Sequence, residues 1–305
     1  MSMAFTVDFW NVGQGDCSSI TRPDNSLDVI DTGPRKTPQL CDYLSLKPRT
    51  INALVITHND ADHIGGVLAL LNIQDVIIRK AYLLFDGHDF RNSRIFNKLI
   101  EVLGENNIFR LESPLTIDEF NEYKLVVRFP NLVRNAKARN ANDTSAIIGL
   151  TWNDKDVIVW GADNKIAIIR ENIVEKPPML FGPHHGAPAD ASNETFARDI
   201  SMLSPRQCFL SYGTKNNYNH PNKAYIKALR KENCRIICSQ RCRHCGLTNK
   251  RTILDGDGFY NLLPPKTGLA CHGHVRLKVQ NGEVHDELEL EYEKAKIKAR
   301  KRLCI

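Results

Sequence analysis

Four side chains that can bind a metal ion lie within six consecutive residues, in the stretch "LVITHNDADHIGG" at residues 54–66. They are His58, Asp60, Asp62 and His63. In extended backbone, residues two apart point to the same side, so His58 and Asp60 can face one centre, with Asp62 and His63 in the first turn of a following helix. An aspartate that caps a helix beside chance histidines is the simpler alternative. Four donors at the end of an apolar run favour a metal site instead.

Later segments add further candidates, each with an ordinary alternative. Asp163 follows the apolar run "VIVW", where it can bind metal or cap the next helix. His184 and His185 follow "MLF"; adjacent side chains diverge, so we expect one to bind metal and the other to line the cleft or orient a ligand. His220 precedes Pro221, and it is a ligand, a phosphate contact or only the start of a helix.

The elements that must position these residues are mostly strands at first and then alternate with helices. Phe5, Val7 and Phe9 alternate with Thr6 and Asp8, which predicts a half-buried strand. "SLDVIDTG" and "INALVIT" predict further strands, and "QLCDYLSL" a short helix. Later strands are predicted at residues 81–85, 123–129, 144–152, 157–160, 178–181 and 208–212, and helices at 91–103, 164–172, 194–203 and 221–231. A layered sandwich of two sheets with outer helices fits this order better than one doubly wound sheet.

Residues 58–63 resemble the signature of the metallo-β-lactamase superfamily, His-x-His-x-Asp-His, with Asp60 in place of the second histidine. That variant is similar to the hydrolase domain of ComEC-type competence proteins for DNA uptake. "FWNVGQGDCSSI", "LDVIDTG", "NDTSAIIGL", "PHHGA" and "SYGTKNNYNHP" match further segments of that family in the same order, over residues 4–240. Two departures are Ala162, inserted between Gly161 and Asp163, and Ala187, in place of a serine.

The resemblance implies an αββα sandwich, two mixed β-sheets with outer helices, and a hydrolase that uses two divalent cations. Asp163 would bridge the cations and Asp31 would orient the ligands. Because Asp60 makes the site richer in oxygen, manganese competes better with zinc than at an all-histidine site. The expected metal ligands are His58, Asp60, Asp62, His63, Asp163 and His184, and the expected catalytic residues are Asp62, His185 and His220.

We expect a phosphodiesterase or nuclease, with Lys215, Asn217 and Tyr218 as substrate-binding residues in the polar loop before His220. A polar surface loop is the alternative for these three. The net charge of +6, from 41 basic and 35 acidic residues, is compatible with a nucleic-acid substrate but does not indicate one. The alternatives are a hydrolase of another small ester or nucleotide, or a metal-stabilised subunit of a multi-protein assembly such as an anti-phage system.

The C-terminal part is rich in cysteine and histidine, in "CSQRCRHCGL" and "CHGHVRL". This spacing predicts one structural zinc, although reduced, partly buried thiols are the alternative. We therefore expect a hydrolase domain at residues 1–240, a Cys/His-rich insertion at 241–272, and a final strand and basic helix at 273–305. The expected zinc ligands are Cys242, Cys245 and Cys271, while Cys238, His272 and His274 compete for the fourth place.

Length and composition narrow the class of protein. The 305 residues suffice for a sizeable core, and no apolar run approaches a membrane span. The N-terminus lacks the pattern of a secretory signal, so we expect a cytoplasmic protein with no membrane partner. The nine cysteines are then free thiols or metal ligands. Nucleic acid is the expected partner, and a protein partner can bind through the insertion and the basic tail.

Overall fold

The structure is a computed structural model that describes residues 4–35, 39–47, 49–84, 94–113, 115–129, 142–187, 192–242 and 271–286. Within these ranges no helix is long and apolar enough to cross a membrane.

Fifteen strands are present among the described residues. They are β1 (Phe5–Phe9), β2 (Cys17–Thr21), β3 (Leu27–Thr32), β4 (Thr50–Ile56), β5 (Ile77–Leu83), β6 (Ile108–Arg110), β7 (Leu115–Phe120), β8 (Tyr123–Phe129), β9 (Ile147–Trp152), β10 (Lys155–Trp160), β11 (Met179–Phe181), β12 (Gln207–Leu210), β13 (Arg235–Cys238), β14 (Val275–Gln280) and β15 (Glu283–His285).

The strands form two mixed sheets. One has the order β15-β14-β1-β2-β3-β4-β5-β6, and the other β13-β12-β11-β10-β9-β8-β7. In the first sheet β3 to β6 run parallel, and in the second β10 to β13 run parallel; the remaining pairs are antiparallel. Loops that leave the carboxyl ends of the parallel strands therefore gather at one edge of each sheet.

Helices lie between the strands along the chain. They are α1 (Gln39–Leu46), α2 (Ala61–Ile64), α3 (Val67–Leu70), α4 (Arg94–Leu103), α5 (Ile166–Asn172), α6 (Asn193–Leu203) and α7 (Lys223–Lys231), with short 3-10 helices at Glu105–Asn107, Asn142–Thr144 and Pro183–Gly186.

The buried apolar residues divide into three clusters that reveal the layers. The central cluster joins the two sheets, with Phe9 of β1 packed against Phe181 and Phe209 of the other sheet. A second cluster lies between the first sheet and α1 to α4, and a third between the second sheet and α5 to α7. The order helix, sheet, sheet, helix confirms the predicted αββα sandwich.

Four of the five residues of strand β1 are buried, which differs from the predicted half-buried strand. Asp8 is only 1% exposed, and its partners lie at the start of the neighbouring strand β14. Its carboxylate accepts hydrogen bonds from His274 Nε2 (2.8 Å) and Arg276 Nε (2.7 Å). A buried charge needs such partners, and they tie the last sheet strands to the first.

Most predicted elements match the described ones within a few residues. Helix α1 and strand β8 have the predicted bounds, whereas β6, β7 and β15 were not predicted. The predicted basic helix at the C-terminus, from residue 287 onward, lies outside the described residues, as do residues 131–141 and 243–270.

Candidate metal centre

Residues 58–63 leave the carboxyl end of β4, a parallel strand at the middle of the first sheet. His58 lies in the extended segment after the strand, and His63 lies in the single turn of α2. Both rings are buried, at 1% and 0% exposure, and their centroids are 4.0 Å apart. Both imidazoles therefore point into the protein at the edge of the sheet. A segment that served only the core would have apolar side chains there.

The second sheet contributes from the ends of β10 and β11, which are parallel neighbours. Asp163 follows β10, and Pro183–Gly186 follows β11. His184 and His185 have φ angles of 50° and 54°, in the left-handed region that non-glycine residues seldom adopt. Such backbone strain is held in place by the surrounding structure and is concentrated at functional sites.

The carboxylate of Asp163 faces four imidazoles. Its Oδ1 lies 3.3 Å from His63 Nε2 and 3.6 Å from His185 Nε2. Its Oδ2 lies 3.7 Å from His58 Nε2 and 3.9 Å from His184 Nε2. Each oxygen thus points to its own pair of rings, and the inserted Ala162 does not turn Asp163 away.

Several of these atoms are buried without a hydrogen-bond partner. Among the described residues they include Nε2 of His58, His63 and His185, and Oδ1 of Asp163. Leaving such groups unpaired is costly, and each of them is an ordinary metal ligand. The residues therefore fit a bound cation.

The other nitrogen of each buried ring is anchored. His63 Nδ1 bonds Asp31 Oδ2 at 2.8 Å, and His185 Nδ1 bonds the carbonyl of Ser211 at 2.9 Å. His58 Nδ1 lies 3.1 Å from the Thr57 hydroxyl. Partners of this kind fix the orientation of metal-binding histidines and, for the acceptors, the tautomer. Asp31 therefore lies beside a ligand ring, which is the position that the resemblance implies.

Four groups of three donors have ligand atoms within 4.8 Å of one another among the described residues. They are His58, His63 and Asp163; Asp62, His63 and His185; Asp16, Asp31 and His63; and Asp16, Asp163 and His185.

Comparison with known protein families agrees with this geometry. Residues 10–88 match the family model of the metallo-beta-lactamase superfamily, and that range contains all of the 58–63 segment. The resemblance predicted from the sequence is confirmed.

The individual relatives found are distant. ComE operon protein 3 of Bacillus subtilis (strain 168) is 24% identical over 288 residues, which cover 85% of this chain and 34% of that protein. The chain therefore spans about a third of this curated relative's length. Igni18, a metallo hydrolase from the hyperthermophilic archaeon Ignicoccus hospitalis, has a TM-score of 0.49 at 17% identity and covers 76% of this chain and 94% of its own. A diphosphatase from the PhnP family has a TM-score of 0.47 at 15% identity, with 77% and 94% covered.

At this site burial and the neighbouring charges shift the pKa values in opposite directions. Burial disfavours the charge of Asp163, yet His63 and His185 hold the pKa of its carboxyl well below the ordinary value. Burial lowers the pKa of His63, but Asp163 and Asp31 outweigh it and raise that pKa well above the usual range. Burial likewise opposes the charge of Asp62, but His185 lowers the pKa of this carboxyl to about 2. A cation that binds here must therefore displace a proton from His63, whereas the carboxylates of Asp62 and Asp163 are already ionised.

The remaining predicted ligands lie nearer the surface. Asp62 Oδ2 is 3.2 Å from His185 Nε2. Asp60 is more exposed, with Oδ2 3.6 Å from His58 Nε2 and a side chain that is 44% exposed. His184 Nε2 lies 3.3 Å from the amide nitrogen of Asn142 as well as near Asp163. The two adjacent histidines diverge as expected, but both reach the same carboxylate.

Of the predicted residues before Pro221, His220 lies beside the histidines of the site. His220 is half-buried, with its ring centroid 5.7 Å from that of His184 and 6.2 Å from that of His185. Burial and these two rings lower the pKa of His220 to about 4. Lys215, Asn217 and Tyr218 are exposed.

Asp16 is a site residue that the sequence analysis did not identify. It follows Gly15 in "VGQGD", and it is 4% exposed. Its Oδ1 lies 3.2 Å from His185 Nδ1, and its backbone N–H donates to the carbonyl of Asp62 (3.1 Å). A Cβ on Gly15, which has φ +135°, would lie 2.3 Å from that carbonyl oxygen. The glycine therefore permits the approach that brings Asp16 to the site.

The predicted structural zinc site is only partly within the described residues. Cys238 ends β13, and its backbone N–H donates to His272 Nδ1 at 3.2 Å. Cys242 and Cys271 are also described, while Cys245 lies outside. His274 binds Asp8 through Nε2 and stacks on Trp10, with ring centroids 4.2 Å apart. No group of three donors found in the described ranges includes a cysteine, so the structural zinc stays a prediction.

Proposed function

We propose that the chain is a metal-dependent phosphodiesterase that cleaves nucleic acid. The observation that carries the proposal is Asp163, whose two oxygens face separate pairs of imidazoles. Three of these four rings, those of His58, His63 and His185, have an unpaired Nε2 atom. A carboxylate shared in this way suits a two-cation centre, the type that many phosphatases and nucleases use for in-line displacement.

The residues divide into two ligand sets on this proposal. His58, Asp60 and His184 would hold one cation with Asp163 Oδ2, and Asp62, His63 and His185 would hold the other with Oδ1. Bound divalent cations lower the pKa of water to about 7 and neutralise charge that develops on phosphoryl oxygens. Zinc and manganese are the proposed metals, since Asp60 adds an oxygen donor where the superfamily signature has an imidazole.

The chain's own residues prepare the reaction. Asp31, Ser211 and Thr57 hold the ligand rings in one orientation, so no reorganisation is needed when substrate arrives. His220, with its pKa lowered to about 4, is a neutral imidazole at pH 7. Its N–H can then donate a hydrogen bond to a phosphate or leaving-group oxygen on the open side of the site.

Nucleic acid is proposed as substrate because the sequence resembles the hydrolase domain of ComEC-type proteins. ComE operon protein 3 aligns with 85% of this chain. The net positive charge of the chain and the exposed Lys215, which precedes His220 in the same loop, are compatible with a phosphodiester backbone.

The purified protein should be incubated with end-labelled single- and double-stranded DNA and RNA, with manganese or zinc added. Cleavage of at least one polymer is expected, together with its loss in Asp163→Asn. Asp143→Asn is the matched control, because Asp143 is a nearby carboxylate that pairs with Lys165 (2.9 Å) instead of facing the histidines. An inactive parent with all four polymers, or an Asp163→Asn variant as active as the parent, would contradict the proposal.

A further inference from the structure

Tyr218 is an exposed aromatic side chain at the mouth of the metal centre. It is 70% exposed, more than any other aromatic side chain in the described part of the chain. Its ring stacks on that of His220, with centroids 5.6 Å apart and planes 12° from parallel. His220 in turn lies beside His184 and His185. Three successive rings therefore lead from solvent to the buried donors.

The loop that carries Tyr218 is held firmly. The side-chain amide of Asn216 donates to the carbonyls of Gly213 (2.7 Å) and His220 (2.9 Å) and accepts from the His220 N–H (2.8 Å). The loop is also fixed at Gly213, whose N–H donates to the side chain of Gln14 (3.4 Å). Asn216 thus forms hydrogen bonds to both ends of the turn. Tyr218 lies within this turn, and its side chain is mostly exposed to solvent.

The exposure of Tyr218 has no structural explanation within the described residues. Phe109, the other exposed aromatic side chain, differs because it packs against Tyr82 and beneath Lys80 on a sheet edge. A large ring left mostly to water costs hydrophobic free energy unless something covers it. Proteins that bind single-stranded nucleic acid use such rings, because every base offers a flat face for stacking.

We propose that Tyr218 is a stacking platform for an unpaired nucleobase, so that the preferred substrate is a single strand. This inference rests on the proposed function, and it specifies which form of nucleic acid the site prefers. One sugar separates base from phosphate in a nucleotide, so a base on Tyr218 leaves its phosphate beside His220 and the metal ligands. In a duplex the bases are already stacked and paired, and their faces are closed to Tyr218.

The test is equilibrium binding, which requires no cleavage. Metal-free protein in chelator is titrated into a fluorescein-labelled short oligothymidylate, and binding is measured by fluorescence anisotropy. The same backbone with abasic tetrahydrofuran units and a blunt duplex are measured in parallel. Tyr218→Ala is compared with the parent, with Tyr218→Phe, which keeps the ring, and with Phe109→Ala, which removes an exposed aromatic ring on the edge strand β6.

Tyr218→Ala is expected to weaken oligothymidylate binding roughly 5- to 150-fold, the range for loss of one stacked base. Binding of the abasic strand and the duplex should not change, and Tyr218→Phe should bind as the parent does. Equal weakening on the base-bearing and abasic strands, no weakening at all, or a parent that fails to bind oligothymidylate more tightly than the abasic strand would overturn the proposal. Base-dependent binding without cleavage would instead defeat the proposed activity and leave the stacking role intact.

Discussion

Replacing Asp31 by asparagine tests how His63 is presented to a cation. Three donors converge on this carboxylate: the Thr57 N–H on Oδ1 (2.8 Å), and the Thr57 hydroxyl (2.7 Å) and His63 Nδ1 (2.8 Å) on Oδ2. An amide has one oxygen and one NH2 group, so it cannot accept from both positions.

The size of the expected loss in metal affinity depends on which of the three donors loses its acceptor. The Thr57 N–H belongs to the backbone and cannot turn, so the amide oxygen stays opposite it and the NH2 group faces His63 Nδ1. The imidazole then accepts through Nδ1 and carries its proton on Nε2, the atom that lies 3.3 Å from Asp163. Loss of such an outer partner weakens metal binding about 10- to 100-fold, which is about 1.4–2.7 kcal/mol.

The assay is calorimetric titration of metal-free protein with zinc and, separately, with manganese. Asp24→Asn is the matched control, because Asp24 also accepts two hydrogen bonds, from the N–H and hydroxyl of Ser26, but lies in a turn between β2 and β3. The control should bind both metals as the parent does. Parent-like affinity in Asp31→Asn would refute the reasoning that this carboxylate fixes the tautomer of His63.

Three further predictions concern single carboxylates. Asp16→Asn should weaken cation binding about 10- to 100-fold in the same titration, because Asp16 lies 3.2 Å from His185 Nδ1. Asp60→His should raise the ratio of zinc to manganese affinity, because an imidazole replaces an oxygen donor; an unchanged ratio would show that Asp60 is not a ligand. Asp8→Ala should lower the free energy of unfolding by about 3–5 kcal/mol, since it leaves the buried His274 and the partly buried Arg276 without this carboxylate; chemical denaturation measures this. Burial opposes the charge of Asp8, but its basic neighbours hold its pKa below the ordinary 3.8, so this contribution is present at neutral pH and should disappear as the pH falls below that value.

Much of the fold was predictable because local pattern and tertiary environment agree. The apolar run of β4 is buried almost throughout, and β8 alternates between buried and partly buried residues as its sequence does. The missed strands lack such a pattern. Strands β6 and β15 have only three residues each, and they exist because a longer neighbour supplies the hydrogen bonds. Asp8 shows the same limit, since its burial depends on β14, which lies far along the chain.

The candidate site was predictable where its residues are concentrated in the chain. The 58–63 segment is conspicuous by itself, and His184 and His185 stand together after a strand. Asp16 carried no comparable signal, because one aspartate after a glycine turn is common in proteins. Its relation to His185 arises only when the two sheets pack, as the hydrogen bond from the Ser211 hydroxyl to the carbonyl of Gly15 illustrates.

A search of the sequence for metal-binding side chains finds the ligands of such a site but misses the residues that orient the ligand rings. Each buried imidazole contacts one partner that comes from a strand end: Asp31 from β3 for His63, Thr57 from β4 for His58, and the carbonyl of Ser211 after β12 for His185. A threonine hydroxyl and a backbone carbonyl have no distinctive spacing in a sequence, yet they help determine which ring nitrogen stays free for a cation. Because these partners are fixed by the parallel strands of both sheets, the geometry of the site is a property of the sandwich as a whole. A substitution that shifts β3 or β12 by one residue would therefore disorder the ligands while leaving every donor in place.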